Sequence, residues 1–155
     1  MIATTESTLV REAWSTLATV DDPEYPGISI VDLGLVESVE LVGGDVHVGL
    51  IPTFSGCPAL AMIADDVRET VGSRVHGAVV VEWLRSPVWT IERVSDVART
   101  AMAEEFTVAV QIGRTTPVCP RCGAPTEQQS MFGPNRCRSV HRCTGCNEAI
   151  EVMRS

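Results

Sequence analysis

Apolar positions in this chain recur with two periods, and the switches between them mark its elements. Leu9, Val10, Ala13, Trp14 and Leu17 fall at helical spacing with Arg11, Glu12 and Ser15 on the other side, which predicts an amphipathic helix over roughly 7–19. Two prolines and a glycine in Asp21-Asp22-Pro23-Glu24-Tyr25-Pro26-Gly27 then impose a loop. Val36, Val39 and Leu41, followed by Gly43-Gly44-Asp45 and by Val46, Val48 and Leu50, read as a β-hairpin. Pro52 ends it, and Thr53-Phe54-Ser55-Gly56-Cys57-Pro58 forms a loop. Helical spacing returns with Leu60, Ala61, Ile63, Ala64, Val67 and Val71, predicting a second helix over about 58–73 with Pro58 in its first turn. Val75, Ala78, Val79, Val80, Val81 and Trp83 make a third strand, broken by Ser86-Pro87. Thr90 is placed to cap a third helix that runs to about Glu105.

These elements predict an α+β domain over residues 1–105, in the order helix, hairpin, helix, strand, helix. Residues 106–116 lack a clear period and read as a linker, and 117–155 read as a separate small domain. The chain shows no internal repeat and no low-complexity stretch.

That small domain carries the strongest chemical signal. Cys119-Pro120-Arg121-Cys122 and Cys143-Thr144-Gly145-Cys146 are two CxxC units with twenty residues between them. Each CxxC turn presents two thiolates from one tight loop, and four soft donors in a tetrahedron are what zinc requires. The spacing is that of a zinc ribbon. Gly123 and Asn147, each following a pair, suit the left-handed backbone of such turns. A segment this short buries too little apolar surface to fold unaided, so the metal supplies folding energy. With four protein ligands the site is closed, which makes the zinc structural. Cys137 and His141 lie inside the insert and are expected to sit in the ribbon's hairpin away from the metal.

Composition narrows the partners. The 155 residues are 45% apolar, enough for a core, yet no apolar run approaches the ~20 residues of a membrane span. The first residues lack the basic start and apolar stretch of a signal peptide, so a cytoplasmic location is expected, where doubled CxxC units bind metal rather than form disulfides. The net charge of −8 divides into −11 over residues 1–113 and +3 over 114–155. Four thiolates on one zinc ion bring the tail to about +1. An acidic body with a nearly neutral tail argues against binding of a nucleic-acid backbone, which needs clustered cations.

Outside the ribbon the residue with most chemistry is Cys57. At the expected start of the second helix, free N–H groups and the positive helix end favour its thiolate and a lowered pKa. Thr53 and Ser55 add hydroxyls to the same loop. The other reading is a small cysteine that packs. Asp32, in Ile30-Val31-Asp32-Leu33-Gly34-Leu35, either caps a local turn or faces Cys57 as a site carboxylate. His47 and His76 read as strand and turn residues, and Trp83 and Trp89 as core or interface anchors. The chain has no phosphate-cradling glycine loop, nucleophile elbow or acid/base carboxylate pair.

Several segments resemble one family in one order. Asp22-Pro23-Glu24, Ile30-Val31-Asp32-Leu33-Gly34-Leu35-Val36 and Pro52-Thr53-Phe54-Ser55-Gly56-Cys57-Pro58 resemble the metal–sulfur cluster biosynthesis family of iron–sulfur assembly proteins. Ser86-Pro87-Val88-Trp89-Thr90, the ribbon, Phe132-Gly133 and Cys137-Arg138 narrow the likeness to its PaaD-like branch, a component of phenylacetyl-CoA ring-epoxidase systems. The chain departs at Arg93 and His141, where the branch pattern has a tryptophan and an aromatic, and over 106–116. The resemblance implies a non-catalytic accessory role in installing an iron–sulfur cluster, in this branch that of the epoxidase's reductase component, with Cys57 handling iron or a cluster in transit. One cysteine cannot hold a cluster alone, so a homodimer, an oxygenase or reductase subunit, or an assembly protein must supply further ligands. A structural subunit of the oxygenase complex, without metal transfer, is the alternative. A thiol enzyme is disfavoured because no motif places a histidine as base for Cys57.

Overall fold

The computed structural model describes residues 2–113 and 116–154. Thr115, at the end of the expected linker, lies outside the described residues. The chain forms two compact units, Met1–Pro52 with Gly56–Val88, and Trp89–Ser155 with Thr53–Ser55. Among the described residues no helix is long and apolar enough to cross a membrane. The architecture is α+β.

The first unit starts with α1 (Ile2–Leu17), whose Ala13 and Leu17 are buried while Arg11, Glu12 and Ser15 face solvent. The Asp-Pro-rich stretch expected as plain loop contains a short hairpin, β1 (Asp21–Asp22) and β2 (Tyr25–Ser29). Local polar bonds allow this: Asp22 Oδ1 accepts from Glu24 N at 2.8 Å and Asp21 Oδ2 from Gly27 N at 2.9 Å, with Gly27 at φ +90°. The expected hairpin forms as β3 (Val36–Val42) and β4 (Asp45–Leu50), antiparallel with Val42 opposite Asp45. Gly43 and Gly44 both have positive φ, the condition for a two-residue turn that matches strand twist.

α2 (Leu60–Gly72) buries Ile63, Ala64, Val67 and Val71 and leads to β5 (Val79–Trp83), parallel to β4. The expected third strand is shorter because residues 75–78 serve to bring the chain back, with Ala78 N donating to Asp45 Oδ1 at 3.0 Å. Gly77 lies so near the β3–β4 turn that an added Cβ would sit 2.1 Å from the Gly44 carbonyl oxygen. Because backbone there cannot move aside freely, Gly77→Ala is expected to destabilise this unit by about 1–3 kcal/mol. Urea unfolding should show the loss, with zinc content unchanged.

The second unit differs more from its expected form. Thr90 is extended and makes no side-chain cap; it precedes one 3₁₀ turn, Ile91–Arg93. The third helix, α3 (Asp96–Glu105), is capped instead by Ser95, whose Oγ accepts from Ala98 N at 3.1 Å. Residues 106–116 are not simply a linker: β6 (Val108–Val110) pairs in parallel with β9 (Ala149–Met153). With β7 (Thr126–Ser130) and β8 (Arg138–Cys143), this makes a four-stranded sheet in the order β6-β9-β8-β7. Trp89, Ile91, Val94, Ala98 and Met102 are buried, and the second compact unit runs from Trp89 through the ribbon. A strand whose partner lies some forty residues away leaves no periodic trace in its own neighbourhood.

Candidate metal centre and thiol site

Each CxxC pair sits on a turn that strand pairing holds in place. Val118 bridges Pro125, and within that loop Cys119 N donates to Ala124 O at 2.8 Å and Gly123 N to Cys119 O at 2.8 Å. The second pair begins at the end of β8, where Cys143 N donates to Glu148 O at 2.9 Å and Asn147 N to Cys143 O at 3.2 Å. Gly123 (φ +75°) and Asn147 (φ +62°) adopt the left-handed conformation that their positions suggest. Thr144 ties the turns together, its N and Oγ1 both donating to Pro125 O, at 3.0 and 2.8 Å. Gly145 also matters, because an added Cβ would lie 2.7 Å from Ala124 Cβ and 3.2 Å from Cys122 Sγ. Its only trace in the sequence is a glycine inside the second CxxC.

The four sulfurs converge within 4.8 Å of one another, with Cys119 3.7 Å from Cys146 and Cys122 3.3 Å from Cys143. Four thiolates about 2.3 Å from one zinc ion, in a tetrahedron, lie about 3.8 Å apart, so the set fits zinc. Among the described residues no other group of three or more histidine, cysteine or acidic side chains converges in this way. Burial pushes the Cys143 thiol up, but N–H groups of Cys146 and Gly145, with the neighbouring Cys122 sulfur, outweigh it and bring it down to about 6. One thiolate is therefore easily formed, and a cation is needed to hold four together. The zinc is structural: the four cysteines close its coordination.

Cys137 is half-buried just before β8, and its carbonyl accepts from Arg154 N at 3.3 Å. His141 is buried on β8 with both ring nitrogens engaged, Nδ1 with Thr126 Oγ1 at 3.1 Å and Nε2 with Ser139 Oγ at 3.0 Å. Burial, and then the Arg154 charge, lower its pKa, so it stays neutral. Neither residue belongs to the four-sulfur cluster.

Cys57 is half-buried in the loop before α2. The helix starts at Leu60, three residues later, after an intervening turn, and this changes the thiol's electrostatics. Burial raises the Cys57 pKa; the Ala59 N–H lowers it; the carboxylates of Glu24 and then Asp22 raise it further, and the net shift is upward. The lowered pKa expected from a helix start is thus reversed. At neutral pH Cys57 should accordingly react with iodoacetamide more slowly than a free cysteine, its rate rising with alkalinity; a rate above that of free cysteine would contradict the upward shift.

At Asp32, Ser29 Oγ donates to Oδ2 at 2.9 Å, and Asp32 N donates back to Ser29 Oγ at 3.1 Å. The carboxylates that act on the Cys57 thiol are Glu24 and Asp22. Asp22-Pro23-Glu24 is plain in the sequence, but nothing local ties it to Cys57, because a stretch that reads as loop gives no sign of the β1–β2 hairpin. Thr53 is half-buried and Ser55 exposed on the same loop, both grouped with the second unit.

Fold and sites define a two-part protein, an α+β domain with one loop thiol near two carboxylates, and a sheet built on a four-thiolate zinc site. Residues 11–83 match the family model of iron–sulfur cluster assembly proteins, and residues 104–154 that of the PaaD zinc beta ribbon domain. The chain is 30% identical over 161 residues, covering 99% of it and 97% of the relative, to a protein of Escherichia coli (strain K12) whose name makes it a 1,2-phenylacetyl-CoA epoxidase subunit. It is 31% identical over 105 residues, 63% of this chain and 96% of the relative, to the Fe-S protein maturation auxiliary factor YitW of Bacillus subtilis (strain 168). The crystal structure of a domain of unknown function from Bacillus anthracis matches with a TM-score of 0.61 and 28% identity, covering 66% of this chain and 99% of that one. The chain belongs to the metal–sulfur cluster biosynthesis family, in its PaaD-like branch with a C-terminal zinc ribbon.

Proposed function

We propose that the protein is a non-catalytic, cytoplasmic maturation factor that helps assemble an iron–sulfur cluster in a client, the reductase component of a phenylacetyl-CoA epoxidase-type oxygenase. The observation that carries this reading is the full-length similarity to a relative named for an epoxidase, joined to an iron–sulfur assembly match that contains Cys57. Soft sulfur suits iron and clusters. Burial, with Glu24 and Asp22, keeps the Cys57 thiol protonated in the free protein, and the same two carboxylates attract a cation. Arriving iron would displace the thiol proton, since a positive charge beside the sulfur reverses the cost the carboxylates impose. Cys57 supplies one ligand, and a second copy or the client supplies the rest, with Thr53, Ser55 and Asp32 shaping the surroundings of the loop. The ribbon serves as a docking module on its zinc.

A structural subunit without metal transfer is the second reading, favoured by the word subunit in that relative's name. The two readings part on the client reductase purified from cells whose sole copy of this factor carries Cys57→Ala. Maturation requires that client to be poor in iron and labile sulfide; a full load favours the purely structural role.

A further inference from the structure

We infer that β5 is an open sheet edge through which two copies of this chain pair, strand against strand about a two-fold axis. In the sheet β3-β4-β5, Val46 N donates to Ala78 O at 2.9 Å and Leu84 N to Leu50 O at 2.7 Å, with Val48 opposite Val81. A parallel ladder uses alternate residues, so 78, 80, 82 and 84 turn their N–H and C=O groups towards β4. Those of Val79, Val81 and Trp83 point the other way, and among the described residues no partner takes them. A row of such groups is a template for a further strand.

The apolar layer runs off the sheet at the same place. Val46, Val48 and Leu50 of β4 are buried, whereas their neighbours on that face, Val79, Val81 and Trp83, are each partly exposed. On the other face Val80 is 41% exposed beside exposed Glu82. Sheets commonly guard an edge with a bulge, a proline or charges. β3, at the opposite edge, has a register break between Val36 and Ser38 and carries Glu37 and Glu40. β5 keeps an unbroken register and carries Glu82 as its single charge.

The second copy is selected by how β5 fits itself. An antiparallel pair centred on Val81 sets Val81 against its own copy, Val79 against the partner's Trp83, and Val80 against the partner's Glu82. The outward N–H and C=O groups of Val79, Val81 and Trp83 then bond in exchange, as opposite residues of an antiparallel pair do. The apolar row continues across the seam, and no glutamate faces a glutamate. The contact closes with the dimer and leaves only the guarded β3 edges outside. A strand donated by a client would make the same backbone bonds, but no feature of this chain selects it, whereas β5 is its own complement. This dimer would provide the second copy that the maturation reading invokes, yet it does not rest on that reading, because it is measured as assembly.

The test is sedimentation equilibrium of the full-length zinc-loaded protein over a range of concentrations, with hydrogen exchange read at both ends. Wild type should pass from monomer to dimer, and the amides of Val79, Val81 and Trp83 should become protected as it does. Val81→Pro, which removes an outward N–H and no bond to β4, should leave a monomer. Val80→Glu, facing the partner's Glu82, should weaken the dimer about 2- to 30-fold, and Val80→Arg should tighten it by as much, because each change counts twice across the two-fold. Val42→Glu and Val42→Arg alter the net charge equally at a side chain 51% exposed at the end of β3, and should change little. A monomer at every concentration overturns the inference. A dimer indifferent to both Val80 variants overturns it as well, whether or not Val81→Pro folds. Protection of the three amides that appears only when the client reductase is added to a monomer assigns the edge to the client and overturns the second copy. A β5 dimer found together with a fully loaded client in Cys57→Ala cells would remove the maturation reading and leave this inference standing.

Discussion

Cys143→Ser is expected to release the zinc and unfold the sheet β6-β9-β8-β7 while the sheet β3-β4-β5 keeps its structure. Cys143 is buried, receives N–H bonds from Gly145 at 3.3 Å and Cys146 at 3.4 Å, and lies 3.3 Å from Cys122 Sγ. Serine offers a harder and shorter donor that stays protonated, so one corner of the tetrahedron is lost. The core around this centre is small, consisting of Cys119, Cys143, Ile150 and Val152 with Ala109 and Ala124 packed against it. Two of its four buried members are ligands, so the apolar remainder cannot hold the sheet alone. Structural zinc in domains of this size contributes on the order of 10–16 kcal/mol, which exceeds the stability such a core supplies. Metal analysis should fall from about one zinc per chain to a small fraction of that. Hydrogen exchange should speed up across residues 108–110 and 126–153 and remain slow in β3 and β4. Full retention of zinc would refute Cys143 as a ligand, and fast exchange in β3 and β4 too would refute the separate stability of the first unit.

Cys57→Ala should leave folding and zinc content as they are and still abolish most of the cluster in the client. The thiol is half-buried in a loop, outside the buried apolar set of its unit, so its removal costs little packing. The client is expected to carry well under half the iron and labile sulfide it receives from wild type, and the deficit should deepen under iron limitation, when general assembly pathways compensate less. Cys57→Ser separates shape from softness, since it keeps a polar side chain but not the sulfur, and should fail like alanine. A variant that unfolds in thermal melting would instead mark Cys57 as a packing residue, against its assigned role.

What was legible in the sequence is what short-range physics decides. Two CxxC units at ribbon spacing name four zinc ligands because each tight turn must present its own pair of thiolates, and the sulfurs do converge. Gly43 and Gly44 specify a turn, and the spacing of Ala13 with Leu17 and of Ile63 with Val67 specifies buried helix faces, because backbone sterics and side-chain period act over a few residues. Tertiary structure decided the rest. Thr90 and Ser95 are both competent caps, and which one starts α3 depends on where Trp89 and Ile91 are buried. Val108–Val110 becomes a strand only because β9 offers it an edge. The direction of the Cys57 shift belongs to the same class. The helix start that the sequence promised lies a turn away, while burial and two carboxylates some thirty-five residues earlier reach the sulfur and hold its proton in place. Electrostatics follows distance in space, and distance in space is set by packing between segments far apart along the chain.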